Sequence, residues 1–459
     1  MSVPAAITRA QNDPTRPRFH FGSPTGWMND PNGTVFYQGY YHLFYQWNPD
    51  GDTWGNIHWG HARSRDLLAW QHLSVALAPS PELGEEHCFS GCLALRHNAP
   101  PLILYTAVGP QMDALTGAQQ WAAVGDDDLL TWAKSPTNPF LPASVHDGLE
   151  VLDWRDPFVF HVGGQALMLL AGKLAEKEGG GGVVLLYEAT DGTLERWRYR
   201  NILFRYADTS KLCVECPNLF YLNGYWVLLL STVERVEYFV GEFDLVAGRF
   251  VPQDQGWLDG SDNVYATNLL WDDQQRLLCW TWLRGFAPGR GWSGCLALPR
   301  VLSVDADGTL RQRPAAELHA LRGAAVTTRA ALATGEMQQL DWQGNALEMA
   351  ATVTCSPAAT FGVRLLPVGT AGQPVQLTCL TDELRLNDKQ LAFDRGAAPM
   401  TLRLFLDRSV IEVFVNDQVC LTLVLTDPAA AYQIELLAAQ GDVTFEPITL
   451  WTLNSLTFS

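Results

Sequence analysis

Apolar and polar residues alternate along most of the chain in runs too short for helices. Gly33–Tyr37, Tyr40–Gln46, Leu102–Ala107, Ala166–Ala171, Val183–Tyr187 and Tyr225–Ser231 are strand-length and bounded by turn residues. Helical periodicity is scarce. Asn223-Gly224 lies between two aromatic runs and predicts a tight hairpin, because both residue types tolerate positive φ. Gly179–Gly182 predicts a flexible loop tip between strands.

A longer period overlies these strands. An acidic turn followed by an apolar residue recurs five times, led by Asp66, Asp128, Asp191, Asp244 and Asp305, with gaps of 62, 63, 53 and 61 residues. Each unit holds about four strand-length runs. Self-similarity at such a period marks an array, and four-stranded units mark a propeller. The expectation is five blades over residues 20–312, after an N-terminal extension over 1–19.

The texture changes after about residue 305. Pro314–Arg322 predicts a short helix inside a linker over 313–334. Regular alternation then runs through 335–459. Thr401–Leu406 and Val410–Val415 flank a tight Asp407-Arg408-Ser409 turn. Short strands at regular spacing over such a length predict a β-sandwich. The fold class expected is all-β, a five-bladed β-propeller followed by a C-terminal β-sandwich.

Composition narrows the function. There are 17 Trp, 13 Tyr and 20 Phe against 7 Met, a balance that suits pleated, half-buried surfaces. The formal net charge of −18 argues against a nucleic-acid footprint and against attraction to an anionic membrane. Nine Cys, an odd number in a long chain, fit reduced thiols better than a disulfide framework. Residues 1–10 show no basic region leading into a long apolar stretch, so the expected location is cytoplasmic. Oligomeric state is not legible.

Three acidic sites share one local pattern: Asp30-Pro31, Asp156-Pro157 and Glu215-Cys216-Pro217. Proline cannot donate to a strand ladder, so it belongs at an edge or a strand end. The innermost strand of each blade has such an edge at the central channel. Asp30 precedes the acidic turn of its unit by 36 residues, Asp156 by 35 and Glu215 by 29. Similar phase on different blades predicts convergence on one axis. Converging carboxylates among aromatics, with no phosphate loop, point to glycoside chemistry. One acid attacks or stabilises an oxocarbenium-like carbon and another protonates the leaving oxygen. Trp27, Trp54 and Phe89 are expected to stack on sugar faces. No cofactor and no metal are expected.

At these residues the chain resembles glycoside hydrolase family 32, the invertases, levanases and other β-fructofuranosidases. The resemblance runs through Trp27–Gly33, Phe44–Pro49, Trp54-Gly55, Trp59–Ala62, Phe89–Gly91, Arg155–Pro157, Glu215–Pro217, Tyr265-Ala266, Gly291–Arg300 and Asp407–Phe414. It implies Asp30 as nucleophile, Glu215 as general acid and then base, and Asp156 as transition-state stabiliser. It implies a fructose pocket lined by Asn29, Gln46, Trp54, Phe89, Ser90, Arg155, Tyr265 and Trp282; Trp280, two residues away, competes for the last place. Retention at the anomeric carbon is implied as well. Cys92 stands where a hydroxyl residue is frequent, and Asn263-Val264 where an aromatic is frequent. Both departures bear on the leaving-group side.

Rival readings are weaker. Cys213-x-x-Cys216 and His87-Cys88-x-x-x-Cys92 have zinc-like spacing, but buried blade thiols are the commoner outcome. Asp126-Asp127-Asp128 reads as a blade turn rather than a calcium site, and Asp407 and Glu412 read as structural. A fructosyltransferase keeps the fold and changes the acceptor. A non-catalytic sugar-binding propeller would have lost an acid, yet all three are present. The expected partner is a small fructoside.

Overall fold

The computed structural model describes residues 3–206 and 213–459. Five sheets follow one another from Gly26 to Pro314, each built on four antiparallel strands in chain order. Their first strands are Gly26–Tyr37, His87–Arg96, Val151–Val162, Glu215–Leu222 and Val264–Trp271. These five touch one another in cyclic order, the fifth closing on the first. They therefore ring a common hub, as sheets arranged in a propeller do. Trp292–Ser293 and Thr457–Phe458 add parallel edge pairings to the first sheet.

The acidic repeat marks the same place in all five sheets, the turn between the third and fourth strands of the four. The carboxylate that ties the turn is Asp66, Asp126, Asp191, Asp244 and Asp307, each accepting at least one backbone N–H from within the next five residues. Two of these correct the sequence reading, which led with Asp128 and Asp305. Asp126 reaches Leu130 and Thr131, so the acidic triplet is a turn cap. In three sheets the turn also places Leu67, Leu129 or Leu194 at positive φ. Its carbonyl accepts the indole N–H of Trp70, Trp132 or Trp197, three residues on. Asn223 and Gly224 both have positive φ, as the predicted hairpin requires.

Residues 322–453 build two packed six-stranded sheets. The core between them holds Leu347, Met349, Phe361, Leu404, Ile411, Leu436 and Phe445, all buried. The expected linker over 313–334 is shorter than the composition suggested. A 3-10 helix spans Ala316–Leu321, and Arg322–Leu332 is already an edge strand paired with Val443–Leu453. Glycine, alanine and threonine in that strand hid its alternation. The N-terminal residues hold a helix, Val3–Gln11, that the sequence pattern did not suggest; residues 1 and 2 lie outside the described residues.

The two domains are joined by buried charge. The backbone amides of Arg18, Phe19 and His20 donate to the Asp407 carboxylate. The His20 ring lies 2.8 Å from Asp407 and 3.0 Å from Glu412. Arg300 donates to Glu412 at 2.8 Å and to Asp259 at 2.9 Å. Asp407 and Glu412 are structural, as expected, and their structure is the domain interface.

Candidate active site

Each of the five first strands carries a β-bulge near its start. The pairing register shifts between Met28 and Pro31, between Cys88 and Gly91, and between Glu215 and Asn218. It shifts again opposite Ala171, around Arg155, and between Tyr265 and Thr267. A bulge bends the strand and re-aims side chains. Asp156, Cys216 and Ala266 hold positive φ at these kinks. This non-glycine backbone strain sits where three strands meet the hub.

The bulges bring the three acids together. The Cys216 thiol lies 3.7 Å from Asp30 Oδ2 and 3.6 Å from Asp156 Oδ2. The Cys216 backbone N–H also donates to Asp156, at 2.9 Å. Glu215, one residue earlier, receives Arg155 at 3.3 Å and the hydroxyl of Tyr265. Acids separated by 126 and 59 positions in the chain (Asp30 to Asp156, Asp156 to Glu215) therefore share one cluster.

The expected pocket residues close around them. Ser90 donates its hydroxyl to Asp30 at 2.5 Å, and Gln46 donates to Ser90 at 2.5 Å. Asn29 donates to Gln46 Oε1 at 2.7 Å and accepts the indole N–H of Trp27. The Phe89 ring lies 5.6 Å from the Arg155 guanidinium and edge-on to Trp54. Trp54 is half exposed at the rim. Trp282 packs edge-on against both Trp27 and Tyr265, and its indole N–H has no partner among the described residues. Trp280 instead packs on Trp70 in the core, away from this cluster. All eleven sequence-predicted residues fall in this one cluster.

Other residues support the cluster without having been foreseen. The Asp156 N–H donates to Thr106, which donates to Gln120, which donates to the Trp154 carbonyl. In the sequence Thr106 is only a lone polar residue inside the apolar run Leu102–Ala107. Asp153 pairs with Arg155 from the other side and holds positive φ. His87 lies against Trp54.

Burial dominates the electrostatics. It pushes Asp30 up to about 6; Ser90 opposes this and the nearby Glu215 charge adds to it. It pushes Asp156 up to about 7 against the pull of Arg155. The Arg155 guanidinium is held above its usual range: burial lowers it, and Glu215 and Asp156 more than compensate. Burial also drives Cys213 up to about 12 and Cys216 well above its usual value. Both are thiols at neutral pH. They face different partners, Cys213 meeting Glu215 and Cys216 meeting Asp30 and Asp156. Among the described residues no group of three or more His, Cys, Asp or Glu could hold a metal ion.

Next to Ser90, Asp156 and Cys216, the side chains of Asn32, Asn218, Thr267 and Asn268 line a cavity of only about 10 Å³. Asn268 ties this layer by accepting from Thr34 and donating to the Gly91 carbonyl.

The comparisons agree with this geometry. The glycosyl hydrolases family 32 N-terminal domain matches residues 20–314 and the family's C-terminal domain matches 317–452. A raffinose invertase from Escherichia coli is 30% identical over 95% of this chain and 95% of its own length. An insoluble β-fructofuranosidase isoenzyme from Arabidopsis thaliana is 30% identical over 68% of this chain, which spans 58% of that protein. The crystal structure of fructan 1-exohydrolase IIa from Cichorium intybus superposes with a TM-score of 0.82 at 22% identity, covering 97% of this chain and 98% of that one. Matched by family models over both domains, the chain belongs to glycoside hydrolase family 32.

Proposed function

We propose that the protein releases terminal β-fructofuranosyl units from sucrose or short fructo-oligosaccharides, with retention, by double displacement. The observation that carries the reading is the hub itself. Three carboxylates from three sheets meet in one cluster, with Phe89, Trp54, Tyr265 and Trp282 packed around it. The names of the relatives, an invertase and a β-fructofuranosidase, agree with it.

In this reading Asp30 attacks the anomeric carbon while Glu215 protonates the departing glycosidic oxygen. A fructosyl ester on Asp30 forms and the remaining sugar leaves. Water, deprotonated by Glu215, then attacks the same carbon and frees fructose and Asp30. Microscopic reversibility assigns both proton transfers to one residue. Ser90 and Asn29 hold the Asp30 oxygens in place for attack. Asp156 grips ring hydroxyls, and those donors favour its ionised form against its burial. Arg155, always charged, faces Glu215 as that residue turns into a carboxylate.

The test is substitution with fold control. Asp30→Asn and Glu215→Gln should each lower fructose release from sucrose by roughly 10²–10⁴-fold or more, with circular dichroism unchanged. Wild-type rates in either purified variant would overturn the role assignment.

A further inference from the structure

Arg284 belongs to none of the motifs above, yet it stands one residue-layer behind the acid–base. Its guanidinium lies 4.3 Å from the ring centroid of Tyr265. It donates to the carbonyl of Asp262 at 2.7 Å, of Val233 at 2.7 Å and of Glu234 at 2.9 Å. The last two carbonyls belong to the turn joining the second and third strands of the fourth sheet. That turn is strained: Val233, a β-branched residue, holds φ +68, a conformation such side chains rarely adopt. Strain of this kind persists only where surroundings over-determine it, and the Arg284 fork does so here.

The strained turn has one visible consequence. The Val233 N–H donates to the Tyr265 hydroxyl at 3.1 Å. That hydroxyl donates in turn to Glu215 Oε2. With a lone pair taken by Val233, the hydroxyl proton is directed at the carboxyl group.

We propose that Arg284 is a positioning residue for proton transfer at Glu215, acting through the Val233 turn and the Tyr265 hydroxyl. The proposal rests on Glu215 being the acid–base. When Glu215 gives its proton to the leaving oxygen and becomes a carboxylate, the Tyr265 O–H is already aimed to stabilise it. Tyr265 keeps its own proton throughout. Burial and the Glu215 charge hold its phenol well above the ordinary range. Among the described residues, the other groups facing Glu215 are Arg155, Asp156 and Asp30 from neighbouring strands, and Cys213 and Cys216 on its own segment. Arg284 touches none of the reacting atoms in this scheme.

The experiment is a double-mutant cycle read by pH–rate profiles on sucrose. Arg284→Gln should lower kcat about tenfold, the value of one aimed hydrogen bond to a charged group, with KM nearly unchanged. The alkaline limb of its kcat/KM profile should move to higher pH, because a donor to the carboxylate form is lost. Tyr265→Phe should move the limb the same way. The double variant should move it no further than Tyr265→Phe alone. Arg284→Lys keeps the charge over the ring and loses the fork, so it should fall between wild type and Arg284→Gln. It also serves if Arg284→Gln does not fold. An unmoved alkaline limb in Arg284→Gln or Arg284→Lys, or shifts that add in the double variant, would overturn the proposal. Neither result touches the role of Glu215, which Glu215→Gln tests separately.

Discussion

At the scale of single residues, the hub acids are in conflict with folding. Asp30 is part-buried, and desolvation raises its carboxyl from 3.8 to about 6. A carboxyl raised on folding takes up its proton in the folded state first. The Asp30 contribution is therefore most favourable below 3.8 and is lost as pH rises from 3.8 through about 6. Asp30→Asn removes that cost. It should raise the thermal midpoint at pH 8, a gain on the order of 1–3 kcal/mol, and the gain should vanish near pH 4. Melting curves of wild type and variant across pH check this; an equal gain at both ends would contradict it. The acids themselves were legible because each has proline one or two residues on. Thr106, Asp153 and Arg284 were not, because a lone polar residue in or after an apolar run carries no signal until folding shows what it touches.

At the scale of elements, alternation and turn residues revealed the strands, and the acidic repeat revealed the phase of the sheets. The exact capping carboxylate was harder to read. In Asp126-Asp127-Asp128 three identical side chains compete, and only the backbone path decides which reaches the amides ahead. Asp126→Ala should lower stability by about 1 kcal/mol, through loss of the bonds to Leu130 and Thr131, while Asp128→Ala should be nearly neutral. Chemical unfolding of the two variants decides the matter; equal effects would count against the assignment. The bulges were only partly marked in the sequence. They depend on hub packing among five strands, and proline flags only three of them.

At the scale of the whole molecule, the sandwich is clamped to the propeller by a buried ionic chain through His20, Asp407, Glu412, Arg300 and Asp259. Burial alone would lower the His20 ring. Bonds to Asp407 and Glu412 outweigh that and raise it to about 9. Its contribution to stability is therefore complete below its unfolded value of 6.5 and is lost as pH rises through about 9. His20→Gln should destabilise by roughly 3–5 kcal/mol at pH 6.5, the cost of breaking one buried pair. It should also flatten the loss of stability expected between about pH 7 and 9.5. A variant with the wild-type pH slope would contradict the clamp. The sequence showed both domains but not the clamp, since Asp407 and Glu412 lie nearly 400 residues from His20. The hub is the other product of long-range assembly, and the account turns on what Asp30 does there. The direct measurement uses Glu215→Gln turned over with a β-fructofuranosyl fluoride, whose leaving group needs no proton, then acid-quenched and peptide-mapped by mass spectrometry. The peptide carrying Asp30 should gain one fructosyl unit; an adduct on another acid, or turnover with none, would contradict the mechanism.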